Sequence, residues 1–155
     1  MKNITIAGIV ALFLASMALA HGGVKNHAVM VRMDTMKISK DAFKALVGMA
    51  RGEVAYNAPA AAAHRDMLIE HLGQVPDLFR DREDDPKSEA LSVIWDNWAD
   101  FEGKAITAQR SAEEMDATSL DGVKAGVAAI SITCLDCHQT YRLKKNKLFS
   151  AYQVR

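Results

Sequence analysis

A short motif late in the sequence constrains the chain more than any other feature. Cys134 and Cys137 are followed at once by His138, which gives the spacing C-x-x-C-H. Two thiols at this spacing can each bond to a vinyl group on one edge of a porphyrin, and the histidine can bind the iron. Residues three and four positions apart share one face of a helix, so a helix would present all three side chains together. The motif therefore predicts one covalently attached haem c on a helical segment.

Other uses of two closely spaced cysteines stay open at this level. Zinc sites and thioredoxin-like redox sites also contain C-x-x-C. A zinc site would need two further ligands, for which His64 and His71 are candidates on one helical pattern. A redox dithiol would be expected in a βαβ setting, and a disulfide between positions 134 and 137 would be strained in a regular helix. The export signal and the helical pattern described next favour haem attachment.

The first twenty residues have the pattern of a secretory signal. Lys2 precedes an apolar run over residues 4–19, and Ala18 and Ala20 are the small residues of an A-x-A cleavage site. This predicts a signal peptide, residues 1–20, that is removed after Ala20. The alternative is a membrane anchor, but the run is short for a span of about 20 residues. Since c-type haem is attached outside the bacterial inner membrane, we expect a periplasmic protein.

The composition after cleavage excludes one class of partner. One of the 19 Lys and Arg residues lies in the signal, so 18 remain against 19 Asp and Glu. A nucleic-acid binder would usually show a basic excess or stripe, and we therefore expect no nucleic acid as partner. Residues 21–155 are numerous enough for one domain with a sizeable core.

Over most of this domain, apolar residues recur at steps of three and four, which predicts helices rather than strands. The charged run at 80–85 is most simply a solvated loop. The predicted helices cover residues 26–50, 60–79, 86–115 and 120–147. Four helices with short connections indicate an all-α fold, an antiparallel up-down four-helix bundle with the haem attached near the C-terminus.

Capping and helix-breaking residues mark several ends of these helices. Asn57 or Ala58 is expected to cap the second helix, since asparagine accepts hydrogen bonds from the first helical amides. Pro76 should kink that helix or end its regular part, because proline lacks the amide hydrogen. Thr118 or Ser119 is expected to cap the last helix.

With motif and bundle in place, the sequence resembles the class II cytochromes c, the group of cytochromes c′ and their low-spin relatives. The strongest evidence for the resemblance is the motif C-x-x-C-H together with Tyr141 and Arg142, which follow it. The resemblance covers nearly all of the chain after residue 20. Its weaker carriers are Arg32-x-x-x-Met36, residues 52–56, Leu78-Phe79, and Ile94-Trp95 with Phe101.

The resemblance implies a role for each residue around the haem. Cys134 and Cys137 would carry the thioethers, and His138 would bind the iron on its proximal side. Arg142 lies one helical turn after His138 and would sit beside the imidazole or a propionate. Arg32 falls where the family often has an arginine near the propionates, and arginine pairs well with carboxylates.

Met36 lies one turn after Arg32, at the position that in this family faces the distal side of the iron. Whether its sulfur binds the iron decides the function. If its sulfur binds the iron, the protein is a low-spin carrier that performs one-electron transfer. If Met36 only packs there, the iron is five-coordinate and binds NO or CO. Residues 31–36 look more like the low-spin members, so we expect His138/Met36 ligation, with Met30 and Met33 as rival sulfurs.

The partners expected from this interpretation are redox proteins or small diatomic gases. No nucleophile and base are placed together by the sequence pattern, so we expect no enzymatic turnover. A homodimer is compatible with the resemblance, because bundles of this class often pair through their first helices. A haem-free helical interaction protein is the remaining alternative.

Overall fold

The structure, a computed structural model, describes residues 23–143. The predicted signal peptide, residues 1–20, and the lysines expected to end the last helix, Lys144, Lys145 and Lys147, lie outside the described residues. Within residues 23–143 the helices are α1 His27–Ala50, α2 Ala58–Gly73, α3 Val75–Phe79, α4 Val93–Asp96, α5 Trp98–Glu113 and α6 Leu120–Tyr141. No helix of this part of the chain has both the length and the apolar character needed to cross a membrane.

The four long helices pack as a closed ring. α1 contacts α2, α2 contacts α5, α5 contacts α6, and α6 returns to α1. The short helices α3 and α4 lie in the connections at one end, where α3 packs against α1 and α5, and α4 packs against α5. Residues 23–143 contain no β-strand, and the predicted all-α four-helix bundle is confirmed.

Side-chain caps start the helices where the sequence predicts them. The Asn57 side chain accepts a 2.9 Å hydrogen bond from the amide of Ala60, so Asn57 rather than Ala58 caps α2. Ser119 Oγ accepts a 3.0 Å hydrogen bond from the amide of Gly122 and caps α6. Pro76 lies in the first turn of α3, which confirms that the regular part of the second predicted helix ends before it.

The third predicted helix is wrong in its first part, because residues 86–92 do not form a helix. Asp85 Oδ2 instead accepts hydrogen bonds of 2.8 Å from the amide of Lys25 and 3.1 Å from the amide of Asn26. These bonds tie the connection to the start of α1, and the long helix begins only at Trp98. Long-range bonding has therefore outweighed a helical pattern that local sequence favours.

The last helix ends at Tyr141, before the predicted end at the lysines. Arg142 has extended backbone angles, φ −119° and ψ 140°, and forms an antiparallel bridge with Ala90. The amide of Leu91 donates to the carbonyl of Tyr141 at 2.9 Å, and the amide of Leu143 donates to the carbonyl of Glu89 at 2.7 Å. We call this pairing of residues 89–91 with 141–143 the C-terminal bridge.

The core has two clusters that meet along α6. The first is formed by the middle of the bundle and includes the fully buried Leu46, Leu68, Val123 and Ile130. The second lies around the short helices and consists of Val75, Phe79, Ile94, Phe101, Ala105 and Tyr141. Cys134 packs against the first cluster and Cys137 against the second, so the motif lies where the two clusters adjoin.

Candidate haem-binding site

The three motif residues occupy the last two turns of α6. Cys134, Cys137 and His138 are all half-buried, and both cysteines are free thiols. Burial raises the pKa of the Cys134 thiol and of the Cys137 thiol to about 11. Both sulfurs therefore carry their proton at neutral pH, and neither is the reactive thiolate of a redox dithiol.

The His138 imidazole is electrically neutral at physiological pH. Burial and, to a smaller extent, the nearby charge of Arg142 lower its pKa to about 4, although Glu89 opposes the shift. A neutral imidazole keeps a ring nitrogen lone pair for an iron. Two thiols three positions apart and one neutral imidazole are the donors that covalent haem attachment requires, so the residues present fit a haem c.

The zinc alternative needs further ligands close to the cysteines. Among residues 23–143, no group of three or more His, Cys, Asp or Glu side chains is arranged to hold a metal ion. His64 and His71 are both half-buried on α2. The two cysteines form no disulfide with one another.

Arg142, four residues after His138, forms an ion pair with Glu89. Its Nε and Nη2 donate to Glu89 Oε2 at 2.8 and 2.5 Å. The side chains are 35% and 25% exposed, so the pair is partly shielded from water. The backbone amide of Arg142 donates to the carbonyl of His138 at 3.3 Å, which holds the arginine one turn beyond the imidazole.

Arg32 is 4% exposed and has all three of its nitrogens bonded to backbone carbonyls. Nε donates to Leu78 O at 2.7 Å, Nη2 to Asp81 O at 2.7 Å, and Nη1 to Glu83 O at 3.0 Å. The guanidinium therefore ties α1 to the segment that leaves α3. The contact with a haem propionate that the resemblance implies stays a prediction.

Trp95 completes the environment of Arg32. The Cζ atom of Arg32 lies 4.6 Å from the ring centre of Phe79 and 5.6 Å from that of Trp95. Trp95 Nε1 donates a 2.8 Å hydrogen bond to the carbonyl of Phe79. Arg82 lies over the same indole at 5.7 Å. These contacts fix the aromatic side of the second core cluster.

Met36 is the methionine of α1 that reaches this cluster. It is half-buried and packs against the second cluster, which Cys137 also contacts. Met33 is 40% exposed, as expected for a residue three positions away on a helix that buries Met36. Met36 rather than Met33 is therefore the methionine that contacts the second cluster, and its place at the haem stays a prediction.

Tyr141 is a site residue whose partner the sequence does not reveal. It is 3% exposed, and its hydroxyl donates to Asp100 Oδ2 at 2.5 Å. Its ring meets that of Phe101 edge-on, with ring centres 5.3 Å apart. Burial and the neighbouring carboxylate raise the pKa of Tyr141 to about 12. The sequence points to Tyr141 through its position one turn after Cys137 and its place in the extended motif, but not to Asp100 as its partner.

Comparison with known proteins finds the same family throughout. The family model described as Cytochrome C' matches residues 27–142. The chain is 30% identical to cytochrome c-556 of Agrobacterium fabrum over 148 residues, which are 94% of this chain and 97% of that protein.

Solved structures with the same fold cover most of the chain. Cytochrome c′ from Rhodobacter sphaeroides superposes with a TM-score of 0.68 at 26% identity, covering 77% of this chain and 97% of that one. A nitric oxide complex of a mutant cytochrome c prime from Alcaligenes xylosoxidans superposes with a TM-score of 0.68 at 24% identity, covering 76% of this chain and 94% of that one. At that identity the second structure supports the fold alone.

Proposed function

The chain belongs to the cytochrome c′ family, and from this premise we propose that it is an exported haem c protein that binds NO or CO at a five-coordinate iron. Members of the family carry a covalently bound haem c. Bound to this chain, the haem would supply an iron that can take up one electron and bind a diatomic gas.

We propose that three side chains of α6 hold the group. Cys134 and Cys137 would each form one thioether, and they contact different core clusters, so attachment would link the haem to both halves of the core. His138 would provide the proximal nitrogen. Its neutral state at pH 7 favours binding, because no proton has to leave the imidazole first.

The observation that carries the gas-binding proposal is the match to the cytochrome c′ family, and the packing of Met36 is consistent with it. Its side chain lies against the apolar and aromatic residues of the second cluster, as a core methionine does. An apolar wall disfavours water and anions as ligands but accepts a neutral diatomic molecule. The nitric oxide complex of the Alcaligenes xylosoxidans protein is consistent with such a use of this fold.

The expected low-spin His138/Met36 centre has less support. Cytochromes c′ are typically high-spin, and the family match gives no indication of a second iron ligand. One-electron transfer through a Met36-ligated iron is therefore the outcome against which the proposal is tested. Met36 lies in the same cluster as Cys137, so one methionine variant can distinguish the two functions.

We further propose that residues 1–20 direct export and are removed after Ala20, which would place the mature protein in the periplasm. The apolar run and the A-x-A pattern support this, as does the location of haem attachment outside the inner membrane. Mass spectrometry of the purified protein should find His21 as the first residue. An N-terminus at Met1 would contradict the cleavage.

The function is tested on protein produced with a haem-attachment system. We expect haem that stays on the chain in a denaturing gel, a broad high-spin ferrous spectrum, and a sharp shift of that spectrum on adding CO. A low-spin ferrous spectrum with a sharp α band that CO does not change would contradict gas binding and favour electron transfer. Colourless protein with two alkylatable thiols would contradict haem attachment itself.

Variants of the motif provide the matched control. Cys134→Ala and Cys137→Ala should each lose one thioether, which shifts the reduced pyridine-haem spectrum, whereas His64→Ala should leave it unchanged. His64 is a half-buried histidine of α2 outside the motif. An effect of His64→Ala equal to that of the cysteine variants would mean that general instability, and not the motif, governs haem attachment.

A further inference from the structure

The ion pair between Glu89 and Arg142 joins a distant loop to the helix that carries the motif. The two residues are 53 positions apart, and one carboxylate oxygen accepts from two guanidinium nitrogens. Arginine donates in a planar fork, so two bonds to one carboxylate fix its orientation more firmly than one would. The pair is partly shielded from water, which weakens the screening of its charges by salt.

The C-terminal bridge holds Glu89 at this position. The carbonyl of Glu89 accepts from the amide of Leu143, and the amide of Leu91 donates to the carbonyl of Tyr141. These two backbone bonds lie on either side of the Ala90 and Arg142 bridge. The backbone of Glu89 is therefore held beside Arg142, within reach of its guanidinium.

The ion pair adjoins the helical turn that carries His138. Arg142 follows His138 by one turn, and its amide bonds to the carbonyl of His138 at 3.3 Å. Arg142 is a cation and Glu89 an anion, so their electric fields on a group bound beside His138 act in opposite directions.

We propose that Glu89 is a positioning residue that neutralises Arg142 beside His138, and that the balance of these two charges sets the reduction potential of the haem iron. The inference rests on the proposed haem attachment through Cys134, Cys137 and His138. A positive charge near the iron favours the ferrous state, because that state carries one positive charge fewer. A negative charge nearby favours the ferric state for the same reason.

A purely structural ion pair would leave a different signature. If Glu89 and Arg142 only closed the C-terminal bridge, losing either partner would loosen the same contact and would change the potential in the same direction. If their charges act on the iron, losing the carboxylate and losing the guanidinium must change it in opposite directions. The double variant must then return close to the value of the unmodified protein.

The experiment is a redox titration of the haem-loaded protein, in which the absorption spectrum reports the ferric and ferrous fractions. Glu89→Gln should raise the midpoint potential and Arg142→Gln should lower it. We expect each to change the ferric–ferrous equilibrium by up to about tenfold, which is ~59 mV for one electron. Glu89→Gln/Arg142→Gln should lie near the unmodified protein, and Arg142→Lys, which keeps the charge, should lower the potential less than Arg142→Gln.

Asp121→Asn is the matched control for charge removal. Asp121 also pairs with a cation, Lys124 at 3.3 Å, but it lies 17 residues before His138 on α6, a distance of about 25 Å. Its removal should leave the potential unchanged, since this distance exceeds two Debye lengths of roughly 8–10 Å.

Two results would overturn the inference while leaving the proposed function intact. One is that Glu89→Gln and Arg142→Gln shift the potential in the same direction. The other is that neither shifts it more than Asp121→Asn. Failure of the unmodified chain to take up haem would overturn the proposed function, and this inference with it. Far-UV circular dichroism of each variant separates a loss of folding from a change of charge.

Discussion

The Nε atom of Arg32 donates a 2.7 Å hydrogen bond to the backbone carbonyl of Leu78, which lies 46 positions further along the chain. Two more bonds, to the carbonyls of Asp81 and Glu83, complete the set. Burial lowers the pKa of Arg32, and the charges of Glu83 and Asp81 oppose that shift. The guanidinium of Arg32 thus holds the end of α3 and the irregular segment that follows it against α1.

Replacing Arg32 should therefore destabilise the fold beyond what the loss of one charge costs. Arg32→Met would replace the apolar stem of the side chain but remove the guanidinium, and so leave three carbonyls without this donor. Hydrogen bonds to charged groups contribute about 1.5–3 kcal/mol each, and the bonds are not additive, so we expect a loss of about 3 kcal/mol. Urea unfolding of the haem-free protein measures it.

Arg82→Met is the control for Arg32→Met. Arg82 is exposed and lies over the Trp95 ring at 5.7 Å. An exposed contact of this kind contributes about 0.5–1 kcal/mol. Equal losses in the two variants would mean that the three carbonyl bonds of Arg32 add nothing to stability.

Two substitutions of Met36 test what covers the distal side. Met36→Leu keeps an apolar side chain of similar volume, so a five-coordinate protein should keep its high-spin spectrum and its affinity for CO. Met36→Ala should open the wall and speed CO association several-fold, at a cost of about 2 kcal/mol in stability. Flash photolysis gives the association rate. A change from low-spin to high-spin in Met36→Leu would instead identify the thioether as an iron ligand.

Two glycines provide a matched test of packing along α5 and α6. A Cβ atom at Gly126 would lie 2.7 Å from Met115 Cβ, with other Met115 atoms nearer still, whereas one at Gly103 would meet nothing within 4 Å. Gly126→Ala should therefore lower the free energy of unfolding by about 1–3 kcal/mol through overpacking. Gly103→Ala should raise it by about 0.5–1 kcal/mol, because alanine is the better helix former. A stabilising Gly126→Ala in thermal unfolding would contradict this close approach.

Asp85 should make the stability of the fold depend on acid pH. Hydrogen bonds from the amides of Lys87, Lys25 and Asn26 hold the pKa of its carboxyl below the usual value. The ionised form is thus favoured in the folded state, and its contribution is present above the unfolded value of about 3.9. That contribution is lost as pH falls through the lower folded pKa.

The measurement compares urea midpoints of the unmodified protein and Asp85→Asn at neutral pH and at about pH 3. We expect the variant to be less stable at neutral pH, and the difference to shrink on acidification because protonation removes the charge from the unmodified protein too. Glu70→Gln, an exposed change on α2, should show no such trend. A difference that is the same at both pH values would refute the role given to the ionised carboxylate.

Local features of the chain were predictable where neighbouring residues decide the outcome. Asn57 and Ser119 cap their helices through amides three positions away, and Pro76 breaks a helix by its own chemistry. The spacing of Cys134, Cys137 and His138 likewise fixes a shared helical face. The expected low-spin state went beyond such local information, and it is the part that the family comparison does not support.

The features that could not be predicted depend on residues far apart in the chain. Helical periodicity alone suggested a helix from residue 86, but Asp85 bonds to residues 25 and 26, and the segment after it forms a turn rather than a helix. The role of Glu89 depends on Arg142, 53 positions away, and no spacing rule links them. Arg32 was expected at a propionate, and its three carbonyl partners become visible only once residues 78–83 have folded around it.

The amino-acid sequence by itself determined the helical class, the capped helix starts and the three donors for a haem, because periodicity, capping and C-x-x-C-H spacing act within a few residues. The tertiary structure alone decided where α6 ends, which methionine reaches the second cluster, and which carboxylate neutralises Arg142. Those outcomes require chain closure over 50 or so residues, and such contacts form only when burial and backbone pairing offset the entropy of closing the loop.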